Sequence, residues 1–161
     1  MFDFSQDLKR AQLAKDDLKV SVLRLLLSNL NNRQIEKRTG LSQNQPLEKL
    51  DDLSRLTEEE ILEVLAAEAK RRKESITAFD RGGRKDLADK EKKELEIIAG
   101  YLPAPLSETE IKNLIEQTIA QTAAQNPSDL GRVMNKLMPQ TRGRADNALV
   151  SRLVKEILAP K

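Results

Sequence analysis

The 161-residue sequence contains no cysteine, no histidine and no tryptophan, and its aromatic side chains are one tyrosine and three phenylalanines. Without cysteine there is neither a disulfide nor a thiolate nucleophile. Without histidine there is no imidazole base, and the Cys/His ligand sets of zinc sites are out of reach. The Gly-x-Ser-x-Gly and Ser-x-x-Lys elements of serine chemistry are missing. So is the Gly-x-x-x-x-Gly-Lys loop that cradles a nucleotide phosphate. No metal and no cofactor is expected. No apolar run approaches the roughly 18 residues of a membrane span, so no membrane attachment is expected. Met1-Phe2-Asp3-Phe4 lacks the basic start and apolar stretch of a secretory leader. The expected location is therefore cytoplasmic.

What is present is charge and aliphatic bulk: 34% of residues are charged and 39% apolar, with six glycines and six prolines. That balance favours an all-α protein packed by Leu, Ile, Val and Ala. The expected architecture is an N-terminal bundle of about four helices over 1–102, a proline-containing linker at 103–106, and a three-helix unit over 107–161. Residues 3–15 read as a first helix. Residues 18–36 are apolar on most of their circumference and read as the buried centre of the bundle. Thr39-Gly40, Asn44-Gln45-Pro46 and Asp51-Asp52 are turn chemistry. The 37–56 segment is expected to be a mobile loop, with partner binding as the alternative. Thr57-Glu58-Glu59-Glu60 is a capping box, and Gly82-Gly83 separates two helices expected to pack as a hairpin. Within their apolar stripes sit Arg72, between Ala69 and Ile76, and Glu91, between Leu87 and Leu95. These two are expected to form an ion pair of structural rather than catalytic role.

Leu102-Pro103-Ala104-Pro105 marks the boundary, because proline cannot continue a helix and biases its predecessor to an extended backbone. Ser107-Glu108-Thr109-Glu110 is a second capping box. Ser128 is the expected cap of a short helix with Leu130, Val133, Met134 and Leu137 on one face, ending before Pro139. Asp146 is the expected cap of a last helix with Leu149, Val150, Leu153, Val154 and Ile157. Residues 129–161 hold seven Lys or Arg and three Asp or Glu, a net of +4, whereas residues 1–102 hold twenty of each.

Gly131-Arg132-Val133-Met134, Leu137-Met138-Pro139, Gly143-Arg144-Ala145-Asp146 and Val150-Ser151 resemble the signature of the GatB/YqeY family. Arg71-Arg72-Lys73-Glu74-Ser75-Ile76, Phe79, Arg84 to Ala88, Glu91, Glu94-Leu95 and Tyr101-Leu102-Pro103 extend the resemblance over nearly the whole chain. The stand-alone YqeY-like members are the closer match. The family's C-terminal module is shared with the tail of the tRNA-dependent amidotransferase B subunit. The resemblance therefore implies contact with tRNA, while the amidotransferase draws its chemistry from parts that this chain lacks. By itself the chain is expected to be non-catalytic. Any label of carbon–nitrogen ligase with a glutamine amido donor would be inherited from the family.

The expected RNA-binding residues are Arg132 and Lys136 at i, i+4, Arg142, Gly143 and Arg144 in the following loop, and Arg152 and Lys155 at i, i+3 on the last helix. Cations so placed would meet phosphates. Every aromatic residue lies outside this unit, which favours a structured RNA over single strands read by stacking. The alternative expectation is a protein–protein adaptor that docks on an aminoacyl-tRNA synthetase or an amidotransferase assembly.

Overall fold

Side-chain caps set most of the helix starts. Asp3 accepts from Gln6 N at 2.9 Å and Asp16 from Lys19 N at 3.0 Å. Thr57 and Glu60 cap one another reciprocally, as do Ser107 and Glu110. Asp146 accepts from Ala148 N and Leu149 N at 2.7 and 3.2 Å. The computed structural model describes residues 2–159, and no strand occurs among them. The helices are α1 (Phe4–Leu13), α2 (Asp17–Ser42), α3 (Leu47–Leu53), α4 (Glu58–Arg81), α5 (Lys85–Ala99), α6 (Glu108–Thr122), α7 (Leu130–Thr141) and α8 (Asn147–Leu158). A 3₁₀ turn at Pro127–Asp129 precedes α7. The chain is all-α and divides into two compact units, Met1–Tyr101 and Leu102–Lys161.

In the first unit α2 packs against α1, α3, α4 and α5, and it buries Val22, Leu23 and Leu26. Its apolar circumference is explained by those neighbours. Helices α4 and α5 form the most extensive contact of the unit. Their turn closes through Gly83 at φ +71°, a left-handed conformation that suits glycine, while Arg84 N donates to Phe79 O at 2.9 Å.

The 37–56 segment is not a loop, and this corrects the reading from composition. Helix α2 runs to Ser42, and α3 follows after four residues, so the described residues of the unit form five helices rather than about four. The hydroxyls of this stretch find partners within the helix, which leaves it intact: Thr39 Oγ1 donates to Ile35 O and Ser42 Oγ to Thr39 O. Tertiary tethers then hold the segment. Lys37 Nζ reaches Arg55 O at 2.9 Å and Glu60 Oε2 at 2.7 Å, Arg38 pairs with Asp51, and Leu50 is buried.

In the second unit α6, α7 and α8 pack on one another. They enclose Ile111, Ile115, Ala124, Val133, Leu137, Val150, Leu153, Val154 and Leu158. Two expectations are corrected. Pro139 lies inside α7, two residues short of its end. Carrying the helix to Thr141 places that residue in the core, on the face of Val133 and Leu137, and this burial outweighs the lost proline donor. Ser128 lies within the 3₁₀ turn and is not the cap of α7; Asp129 holds that position, with no side-chain bond to the α7 backbone, and its carboxylate instead closes the preceding turn by accepting from Gln125 N and Asn126 N at 3.0 and 3.2 Å.

Candidate functional site

The basic residues singled out in the C-terminal unit fall into two groups. Arg132 and Lys136 lie exposed on α7, and Arg152 and Lys155 lie exposed on α8. Arg132 is committed in part, since its Nη2 donates to Asp129 Oδ1 at 2.7 Å. The amides of Gln125 and Asn126, with Arg132 beside them, hold the Asp129 carboxyl below its usual range. Arg152 is also partly matched. It lies 3.8 Å from Glu156 on its own helix and helps Lys112 keep the Glu108 carboxyl ionised. Over the whole unit 102–161 there are eight basic and six acidic residues, leaving +2. The positive excess is thus carried by α7, the loop after it and α8.

Arg142, Gly143 and Arg144 are the second group, half-buried in the loop between α7 and α8. Gly143 has φ +71°, so the turn calls for glycine at this point. Arg144 faces inward along the chain. Its carbonyl accepts from Leu106 N at 2.8 Å and its Nε donates to Ala104 O at 3.0 Å. Its charge also helps lower the Glu110 carboxyl, whose chief partners are the Ser107 hydroxyl and amide. The signature Gly143-Arg144-Ala145-Asp146 is therefore a turn, a tie to the preceding segment and a helix cap in four residues.

The first unit carries a second polar constellation. Arg72 Nη1 donates to Glu91 Oε2 at 2.9 Å and also contacts Glu94, while its Nε lies 3.3 Å from Glu68 Oε1. Glu68 is only 3% exposed, and Asn29 and Arg71 both reach its Oε2. Burial opposes the charge on Arg72, but the Glu91 hydrogen bond and the charges of Glu94, Glu91 and Glu68 hold its pKa above the ordinary arginine value. Sequence reasoning paired Arg72 with Glu91 and missed Glu68 and Glu94. Their spacing carried the signal: Ala88, Glu91, Glu94 and Ile98 form one stripe of α5, and Leu65, Glu68, Arg72 and Ile76 one stripe of α4. A guanidinium filling the space among three carboxylates makes a fixed interior ion cluster. Among the described residues no three acidic side chains are grouped to hold a metal ion, and no helix is long and apolar enough to cross a membrane.

Comparison with known proteins gives the following. Residues 2–158 match the family described as "Yqey-like protein". The chain is 32% identical over 128 residues to Altered inheritance of mitochondria protein 41, mitochondrial, of Lachancea thermotolerans, covering 78% of this chain and 61% of that protein. The protein of the same name from Eremothecium gossypii is 37% identical over 99 residues, covering 62% and 46%. That from Kluyveromyces lactis is 32% identical over 135 residues, covering 82% and 65%. The aligned part of the chain thus spans less than two thirds of the length of these relatives. All three carry mitochondrial names, which overturns the cytoplasmic expectation. Secretory-leader features do not bear on the matter, because mitochondrial targeting segments are amphipathic and basic rather than apolar.

Proposed function

The chain belongs to the Yqey-like protein family, and from that premise we propose that it is a non-catalytic accessory protein that docks a structured RNA such as tRNA through its C-terminal unit. The observation that carries this reading is the exposure of Arg132, Lys136, Arg152 and Lys155 on two helices that pack together. Exposed cations on rigid helices give salt-sensitive, shape-led contact with phosphates. The likeness of the C-terminal signature to the amidotransferase B subunit tail supports the choice of tRNA. It also supports a relation to carbon–nitrogen ligases that use a glutamine amido donor. Arg142 and Arg144 are assigned mainly to building the loop, and Gly143 to its turn. Arg72 and Glu91 are assigned to the interior of the first unit, away from any ligand.

Titration of unmodified tRNA with the full chain at low and at physiological salt tests the reading. Affinity that falls as salt rises supports it, and no binding at low salt rejects it. A second reading is favoured by a separate observation: Leu47 is 76% and Ile35 52% exposed on α3 and α2. Exposed aliphatic residues of this size suit a protein partner, such as an aminoacyl-tRNA synthetase or an amidotransferase assembly. Binding to such an assembly that persists at high salt would favour the adaptor.

A further inference from the structure

Two stretches of the sequence, Tyr101-Leu102-Pro103 and Gly143-Arg144-Ala145-Asp146, lie forty positions apart at their facing ends and have no shared chemistry. Each is tied into one of the two units. Tyr101 belongs to the first. Its hydroxyl donates to Asp7 Oδ2 at 2.9 Å, its ring leans on Phe4 with centroids 5.0 Å apart, and its amide donates to Ile98 O at 3.0 Å. Ala104 and Leu106 belong to the second, where Arg144 Nε takes the Ala104 carbonyl and the Arg144 carbonyl takes the Leu106 amide. Ser107, next in the chain, is already the cap of α6.

We propose that the connection between the units is a two-residue joint, Leu102-Pro103, gripped by Asp7 and Phe4 through Tyr101 on one side and by Arg144 on the other. Arg144 is then a positioning residue: it makes 104–106 part of the second unit's fold. The proline ring fixes φ at 103 and restricts Leu102 before it, so the few torsions left at the joint are narrow ones. A four-residue proline-rich spacer would behave differently, as a semi-rigid rod free at both ends. Neither grip involves the exposed cations of α7 and α8, so the proposal stands or falls independently of RNA binding.

Backbone ¹⁵N relaxation on the full chain tests it at the amides of residues 101, 102, 104 and 106. The expected order parameters are about 0.85 at Tyr101, Ala104 and Leu106, as in rigid backbone, with a dip confined to Leu102. In Arg144→Ala the Ala104 value should fall below about 0.6, with a smaller fall at Leu106, whose main-chain bond to residue 144 survives. Arg144→Lys keeps the charge and serves if the alanine variant does not fold. It should show the same loss at Ala104, because lysine has no Nε donor at that point. Asp7→Ala should loosen Tyr101 and leave Ala104 unchanged. The proposal is overturned if Ala104 and Leu106 are as mobile as Leu102 in the unaltered protein. It is equally overturned if both Arg144 variants leave Ala104 at its original order.

Discussion

The two units solve the same packing problem by different means. The second has an uncharged, mainly aliphatic centre, and its buried hydroxyls bond within their own helix: Thr118 to Leu114 O at 2.7 Å and Thr141 to Leu137 O at 3.4 Å. The first places one guanidinium and three carboxylates between α4 and α5, with Asn29 of α2 joining them. Aliphatic packing is tolerant of sliding, whereas an interior ion cluster is satisfied in a single register. The long α4–α5 hairpin, with a two-glycine turn as its main local constraint, is where such a lock has most to do. In the second unit the helices are short and are pinned instead at their ends, by the Ser107–Glu110 box, the Asp146 cap and the Arg144 tie.

Breaking this contrast should give graded losses. The largest is expected from Arg72→Met, which leaves Glu68, Glu91 and Glu94 facing one another; chemical denaturation should show a loss of about 4 kcal/mol. If the stability were unchanged, the cluster would not be a lock. Leu137→Ala, in the aliphatic centre of the second unit, should cost about 3 kcal/mol through the cavity it opens. Its effect should appear in the second unit's unfolding transition. Asp146→Ala should cost about 1 kcal/mol by removing the cap of α8, read in the same way.

Smaller effects follow pH. Burial, and then the Asp7 carboxylate, push the Tyr101 phenol from 10.0 up to about 12. A folded value above the unfolded one means that the contact's contribution is complete below pH 10 and is lost as pH rises through about 12. Because Tyr101 is the sole tyrosine and tryptophan is absent, phenolate absorbance reports it directly. Asp7→Ala should bring the midpoint down part of the way, since burial remains. Glu60 shows the opposite sign. Lys37, then the Thr57 amide, hold its carboxyl below the ordinary 4.5. That contribution is present above the ordinary value and is lost as pH falls through the folded one. Glu60→Gln should flatten this acid limb of the stability curve.

Much of the fold could be read where local chemistry decides structure. The boxes at Thr57 and Ser107, the Asp146 cap and the Gly82-Gly83 turn act within four residues, so a sequence displays them. The failures lie where distant partners override local preference. Thr39 and Gly40 look like a turn, yet Lys37 and Arg38 reach α3, Arg55 and Glu60 and keep α2 going. Pro139 looks like a stop, yet the burial of Thr141 carries α7 past it. The candidate site divides in the same way. Arg132, Lys136, Arg152 and Lys155 can be placed on exposed faces from helical spacing alone. The inward tie of Arg144 depends on Ala104, forty positions away, and spacing within the signature does not disclose it. Glu68 and Glu94 were hidden for another reason: each has basic neighbours one turn away on its own helix, Arg71 and Arg72 for Glu68 and Lys90 for Glu94, and such spacing reads as ordinary helix-surface pairing.

The most direct test is the slope of log affinity for tRNA against log salt, compared between the unaltered chain, Lys136→Ala/Lys155→Ala and Arg144→Lys. The expected slope is shallower by about 2 in the double variant, one for each phosphate contact removed, and unchanged in Arg144→Lys. A slope unaffected by loss of the two exposed lysines would contradict it and remove the helix faces of the C-terminal unit as the RNA-docking surface.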